Sequence, residues 1–180
     1  MKFTIAIILS LISFGCMDKS KYAKDLESHV FDSVLDEAYD SITLKLSLHK
    51  STSNKILVNV FDDHLDSLFI SYALNDLDPR EDSSMYMLME NLRSMIGMNP
   101  VFDFDNYNST NFDFTTNDSD QGYGLSTITR ISFNAQNSVG LFYCDFQGES
   151  EKSGGYFVVV KKDKNNDWGI LALLDSWTTQ

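Results

Sequence analysis

The sequence predicts an α+β domain in which helices pack on an antiparallel sheet. Two observations carry this prediction. Four apolar runs follow one another in residues 124–180, and segments with helical spacing of apolar residues occupy much of residues 30–96. The four runs are rich in the β-branched and aromatic side chains that fit a pleated strand. Because only short polar linkers separate them, we expect a four-stranded C-terminal meander.

Both faces of the predicted strands are apolar. In the second run the two alternating sets are Val139, Leu141 and Tyr143, and Phe142, Cys144 and Phe146. A sheet of this kind has to be covered or strongly curved. We therefore expect an N-terminal helix and one or two further helices covering one face of a curved sheet. This is a cystatin-like or NTF2-like shape, and an open sandwich is the alternative.

The predicted N-terminal helix begins after a tether. Apolar residues recur at intervals of three and four in residues 30–42, with Ser28 placed as an N-cap. From position 42 to position 48 every second residue is apolar, which predicts that a strand follows the helix. Residues 55–61 form another apolar run, which is compatible with a strand or with the approach to a helix.

Two further helices are predicted before the meander. Asp62 or Asp63 can cap the first of them, which has an apolar side and closes at residues 75–78. Pro79 suits the first turn of the second, because that position needs no backbone donor. This helix has a methionine-rich stripe and ends near Gly97. At helical spacing such a stripe favours core packing over a binding groove.

Residues 99–124 are rich in Asn, Asp and aromatic residues and contain no basic residue. Apart from a short strand at 101–104, we expect a long exposed loop. Long loops in compact domains often carry function. Tyr107 and Tyr123, which bound most of this loop, are therefore candidate binding residues.

The first fifteen residues have the parts of an export signal. Lys2 supplies a positive charge, an apolar segment of ten residues follows, and Ser13 and Gly15 are small residues just before Cys16. Ten residues are too few to span a bilayer as a helix. The end of the signal has two interpretations: cleavage by an ordinary signal peptidase, or a lipobox that makes Cys16 the lipidated N-terminus.

Cysteine usage favours lipidation of Cys16. The other cysteine, Cys144, lies in the middle of a predicted strand, where cysteine usually behaves as a small buried hydrophobe. We therefore expect residues 1–15 to be a lipoprotein signal peptide, 16–28 a tether and 29–180 a single domain. Acyl chains on Cys16 would hold the protein at the inner or outer membrane of a Gram-negative bacterium.

The formal net charge of the chain is -12. A negative field of this size repels phosphate backbones and anionic lipid headgroups, so nucleic acid is not an expected partner. The expected partners are the membrane, through the lipid anchor, and a protein or a small ligand.

The last third of the chain carries a set of short motifs. They are Thr129-Arg130-Ile131-Ser132-Phe133-Asn134, Leu141-Phe142-Tyr143, Gly154-Gly155-Tyr156, Trp168-Gly169-Ile170 and Trp177-Thr178. This set resembles the C-terminal signature of a family of exported Bacteroidota-type lipoproteins, although Ser132 stands where glycine is usual. The resemblance implies an exported, membrane-tethered protein. The family has no known activity, so the resemblance implies no catalytic residue.

Catalytic and metal-binding motifs are weak in this sequence. His29, His49 and His64 are the only histidines, and their spacing does not match a metal site. There is no nucleophile elbow, phosphate-binding glycine loop or Cys-x-x-Cys motif. An enzyme with a pocket in a cone-shaped α+β fold, using His64 or an Asp, is the alternative function. We predict no cofactor.

Two acidic stretches have partial calcium-loop character. Residues 163–167 carry oxygen side chains at alternate positions, but neighbouring lysines and Trp168 break the pattern, so a hairpin turn is expected. In the long loop, the pairs Asp103 with Asp105 and Asp118 with Asp120 lack the full pattern. We predict no metal site.

Arg130 is the remaining candidate binding residue, a lone guanidinium between Ile128 and Ser132 on a predicted strand. It could form an ion pair with a carboxylate or hold an anionic group in a concavity of the sheet. The ion pair is favoured. Taken together, the sequence predicts a cell-envelope lipoprotein that acts as a non-catalytic binding module.

Overall fold

The computed structural model describes residues 19–46, 56–59, 67–76, 80, 82–96, 112–115, 124–148 and 153–179. The helices are α1 (Lys19–Lys45), α2 (Ser67–Asp76) and α3 (Ser83–Met95). The strands are β1 (Ile56–Asn59), β2 (Phe112–Thr115), β3 (Gly124–Thr127), β4 (Ser132–Phe133), β5 (Val139–Gly148), β6 (Ser153–Lys162) and β7 (Trp168–Thr178). These elements form the predicted α+β fold.

The predicted C-terminal meander is confirmed. The first apolar run forms β3 and β4, which are both antiparallel to β5. β5 pairs with β6, and β6 with β7, again antiparallel. Residues 163–167 form the predicted hairpin turn, in which Asp163 Oδ1 accepts hydrogen bonds from the backbone N–H groups of Asn165 at 2.7 Å and Asp167 at 3.0 Å. Asn166 adopts a left-handed conformation there, with φ 68°, which asparagine tolerates better than most residues.

The sheet as a whole is mixed rather than antiparallel. Its order is β2-β1-β3-β5-β6-β7, with β4 beside β5, and β1 pairs in parallel with both β2 and β3. β2 lies inside the segment predicted as a long loop, so that prediction is wrong at residues 112–115. A strand of four residues whose partner lies more than fifty residues earlier is not preceded by a hairpin turn, and the sequence therefore carries no local signal for its pairing.

Helices cover both faces of the sheet, which corrects the prediction that they cover one. On one face α1 packs against alternate residues of the central strands: Phe142, Cys144, Phe146, Tyr156, Val158 and Val160. On the other face α2 and α3 pack against the intervening residues: Leu141, Tyr143, Phe157 and Val159. Since both sets are apolar, each face needs its own cover. The cystatin-like or NTF2-like curvature stays a prediction.

The helix α1 is longer than predicted at both ends. Its apolar stripe is buried as expected and includes Val30, Phe31, Val34, Leu35, Ala38, Tyr39 and Ile42. The helix begins at Lys19, so residues 19–28 are not an extended tether and Ser28 is not an N-cap. It also continues to Lys45 in place of the predicted strand. Ile42 and Leu46 are buried one turn apart while Leu44 is 80% exposed, so the alternation there reflects a helix face.

The other two helices match the predictions except at their starts. α2 buries Ile70 and Leu74, and α3 begins at Ser83 rather than at Pro79. The methionine-rich stripe of α3 is core, as predicted: Leu88, Met89 and Leu92 are buried. None of the helices in the described ranges is long and apolar enough to cross a membrane.

Several predicted features lie outside the described residues. They are Cys16, the 101–104 strand, Tyr107, Tyr123, the acidic pairs of the long loop, His49, and the cluster of Asp62, Asp63 and His64.

Candidate functional site: Glu27 and Arg130 at a strand bulge

The first strand of the meander is interrupted by a β-bulge between β3 and β4. Ile128 lies opposite Cys144, whereas Ser132 lies opposite Leu141. The three residues 129–131 therefore face only two residues of β5. As a result, Ile128 and Ile131 are both buried in the core beneath α1, although they are three residues apart. A regular strand would place them on opposite faces.

At the start of the bulge, Thr129 forms the hydrogen bonds to the backbone of Tyr143. Its backbone N–H donates to the Tyr143 carbonyl at 3.0 Å. Its side-chain hydroxyl in turn accepts the Tyr143 N–H at 2.9 Å. The hydroxyl thus accepts a bond that a strand carbonyl would normally take. Buried backbone groups need such partners, so this threonine compensates for the broken ladder.

At the other end of the bulge, Glu27 of α1 accepts the backbone hydrogen bond. Its Oε1 accepts hydrogen bonds from the Ile131 N–H and from Arg130 Nε, both at 3.2 Å. The Glu27 side chain is 2% exposed and that of Arg130 is 18% exposed. The structure therefore places Arg130 in an ion pair, the favoured of its two predicted roles. The same carboxylate joins the helix to the strand.

The surroundings of Glu27 disfavour its charged form. Burial raises the pKa of its carboxyl above the ordinary value of 4.5, and this effect outweighs the lowering by the Arg130 charge and the Ile131 N–H. Glu27 Oε2 is buried and has no hydrogen-bond partner among the described residues. A carboxyl in this position fastens α1 to the bulge and is closed off from a substrate in solution.

A second buried polar network lies at the last two residues of β3, just before the bulge. The Tyr39 hydroxyl of α1 shares a hydrogen bond of 2.5 Å with Ser126 Oγ, which also bonds the Asp145 carbonyl. The Asp145 carboxylate accepts the backbone N–H of Thr127 at 2.6 Å. Asp145 is 6% exposed, so it too serves the backbone rather than the surface.

The Gly-Gly-Tyr and Trp-Thr motifs meet on the face of the sheet that α2 and α3 cover. Trp177 Nε1 donates to the Tyr143 hydroxyl at 2.7 Å. Gly155 lies directly beneath this hydrogen bond, because a Cβ built there would overlap the Tyr143 hydroxyl and the Trp177 ring. These motifs therefore encode close packing. Burial also raises the pKa of the Cys144 thiol, which removes it as a nucleophile.

We expect Gly155→Ala to lower the free energy of unfolding by about 1–3 kcal/mol, since the methyl group displaces Tyr143 or Trp177. Urea denaturation followed by circular dichroism measures this. Gly169→Ala is the matched control, because a Cβ at Gly169 has no atom within 4 Å. Equal stability of the two variants would show that Gly155 does not hold these rings in place.

Glu27 was not predicted as a site residue, because it fell inside the predicted tether. A signal was available, because Glu27 precedes Val30, Phe31 and Val34 at helical spacing and so shares the buried face of α1. Of the predicted site residues, the structure brings Arg130 to this carboxylate, while His29 is exposed on α1. Comparison of the chain with protein-family models, with curated proteins and with solved structures finds no match.

Proposed function

We propose that this protein is a cell-envelope lipoprotein, anchored through Cys16, whose domain is a non-catalytic binding module for a protein or a small ligand. One observation supports the non-catalytic part: among the described residues, the two buried carboxyl groups and the buried Tyr143 hydroxyl are hydrogen-bonded within the fold. Glu27 and Asp145 accept backbone N–H groups, and Tyr143 accepts the Trp177 indole. Acid–base chemistry needs such a group within reach of a substrate.

The lipid anchor is supported by the N-terminal sequence. A small residue precedes Cys16 at the end of an apolar segment too short to span the bilayer. α1 begins at Lys19, three residues after Cys16. A helix this close to the acylated residue holds the domain near the membrane, whereas a tether of thirteen residues would let it move away.

The proposed binding surface is the segment around Tyr107 and Tyr123. Tyrosine and asparagine are common in binding loops, because their side chains combine contact area with hydrogen bonding at a low entropic cost. This segment flanks β2, which is the last strand at one side of the described sheet. Arg130 is paired with Glu27, so we favour the segment around Tyr107 and Tyr123 over Arg130 as the surface that binds a partner.

We expect Cys16→Ser to abolish lipid labelling. Cells that express the protein are fed a clickable fatty acid, and the purified protein is tested for label and for recovery in the membrane fraction. Each buried methylene contributes about 0.8 kcal/mol, so acyl chains account for stable anchoring. Cys144→Ala is the control and should retain the label, because Cys144 is buried in the core. Equal label in wild type and Cys16→Ser would overturn the proposal.

A further inference from the structure

The C-terminal ends of β4 and β6 lie at the same end of the sheet. β4 and β6 are both antiparallel to β5, so they run in the same direction and end at the same end of the sheet, on either side of β5. A ring contact shows the proximity, since the centroids of Phe133, at the end of β4, and Trp168, after the β6–β7 turn, are 5.8 Å apart. The β6–β7 hairpin therefore projects from the end of the sheet where β4 stops.

The N-terminal turns of α1 lie at the same end. Tyr39 contacts Ser126, whereas Glu27 contacts Ile131 further along the same strand. The helix thus runs opposite to β3 and β4, and the residues before Glu27 extend beyond the bulge toward the end of β4. In the sequence, only Met17 and Asp18 separate the proposed lipid anchor Cys16 from the first residue of α1.

This end of the molecule is basic, although the chain as a whole is acidic. We define the basic end as residues 19–28 and 161–171. It holds six of the 14 lysines and arginines of the chain: Lys19, Lys21, Lys24, Lys161, Lys162 and Lys164. Its four carboxylates are Asp25, Glu27, Asp163 and Asp167. Since Glu27 is paired with Arg130, the local charge is positive against a total of -12.

The hairpin adds exposed apolar surface to this charge. Val160 pairs with Ile170 and Val159 with Ala172, so Leu171 is the extra residue of a bulge in β7 and is 59% exposed. Lys161 and Lys164 are also exposed. A cleft of about 570 Å³ at this place is lined by these three side chains and Trp168, among others. The indole Nε1 of Trp168 is buried without a hydrogen-bond partner among the described residues.

We propose that the basic end docks on the surface of an anionic bilayer, with the exposed Lys161 and Lys164 near lipid headgroups and Leu171 at the boundary with the acyl chains. Salt limits electrostatic interactions to about 8 Å at physiological ionic strength. The lysines of the basic end therefore act on the bilayer, while the acidic remainder of the domain is screened from it. The orientation of the lipidated protein, with the basic end toward the bilayer, rests on the proposed Cys16 anchor. Binding of the domain to an anionic bilayer does not rest on that anchor.

The test uses the mature chain, residues 16–180, with Cys16→Ser, so that no acyl chain contributes. Flotation measures binding to vesicles of phosphatidylcholine alone and to vesicles that also contain phosphatidylglycerol. We expect binding only to the anionic vesicles, with loss of binding in high salt. Lys161→Gln with Lys164→Gln should weaken it roughly thirtyfold, because each lysine near an anionic surface contributes on the order of 1 kcal/mol. Lys162 is left unchanged, since its Nζ lies 5.1 Å from the Trp168 ring centroid.

The matched control is Lys45→Gln with Lys152→Gln, which removes the same charge. Lys45 ends α1, where it pairs with Asp175, and Lys152 precedes in sequence Ser153, which begins β6 at the end opposite to the β6–β7 hairpin. The control should bind as the parent does. If both double substitutions weakened vesicle binding equally, the hairpin would not be the part of the protein that contacts the bilayer. Absence of binding to anionic vesicles at low salt would overturn the proposal and leave an acidic polypeptide as the partner to examine; neither result would affect the labelling of Cys16.

Orientation is measured separately with quencher-labelled lipids. Trp168 and Trp177 are the only tryptophans and lie near opposite ends of β7. Trp177→Phe leaves Trp168 as the fluorophore, and Trp168→Phe leaves Trp177. In anionic vesicles we expect the labelled lipids to quench the fluorescence of Trp177→Phe more strongly than that of Trp168→Phe. Equal quenching, or stronger quenching of Trp177, would contradict docking through the hairpin.

Discussion

Trp168→Ala is expected to lower the free energy of unfolding by about 3–5 kcal/mol, the cost of deleting a large buried aromatic side chain. Trp168 is 5% exposed and belongs to the core beneath α1. It also contacts the Phe133 ring and carries Lys162 over its face. Loss of the indole therefore removes packing where the β6–β7 hairpin and β4 meet the face of the sheet that α1 covers.

Leu171→Ala is the control for this prediction, because it removes an apolar side chain from the same strand at a position that is 59% exposed. We expect it to change stability by less than about 0.5 kcal/mol. Urea denaturation of both variants, followed by fluorescence of the remaining Trp177 and by circular dichroism, gives the comparison. A Trp168→Ala protein as stable as wild type would mean that the hairpin end is not part of the cooperative core.

Arg130→Ala is expected to lower the free energy of unfolding by about 3–5 kcal/mol, since it leaves the Glu27 carboxylate buried without its charge partner. Glu27 is 2% exposed, and Arg130 Nε lies 3.2 Å from its Oε1. Among the described residues, the Ile131 N–H is then the only remaining hydrogen-bond partner of that oxygen. Equilibrium denaturation at neutral pH measures the loss.

The pH dependence identifies the cause. Burial raises the pKa of Glu27 in the folded protein, and Arg130 lowers it in part, so removing Arg130 raises it further. The folded state then holds a proton that the unfolded state releases. This contribution to stability is fully present below the ordinary value of 4.5 and is lost as pH rises through the folded pKa. Arg130→Ala should therefore lose stability, relative to wild type, as pH rises.

Glu27→Gln tests the same pair from the other side. In the Arg130→Ala background it removes the titrating group while keeping an oxygen for the Ile131 N–H. The double variant should lose the extra pH dependence of the single one and recover part of its stability at neutral pH. If Arg130→Ala has the same pH profile as wild type, the guanidinium is not compensating the buried charge of Glu27.

Local patterns in the sequence were sufficient for the secondary structure that carries the core. The four C-terminal runs have the composition and linkers of strands, and they pair as a meander in the order of the chain. The buried stripes of α1 and α3 follow the 3.6-residue period. Helix ends were less predictable: α1 begins at Lys19, and Asp18 just before it, a residue type suited to an N-cap, lay in the predicted tether.

What the sequence determined by itself is therefore the apolar faces of α1, α3 and the meander strands, because alternation and helical spacing are properties of neighbouring residues. The tertiary structure alone decided what each face is buried against: α1 on one side, α2 and α3 on the other, and β2 beside β1. It also made the site, in which Glu27 meets Arg130 and Ile131 across 103 and 104 residues. A short-range pattern cannot encode such a contact, since it exists only after the helix has docked on the bulged strand and excluded water from the carboxylate.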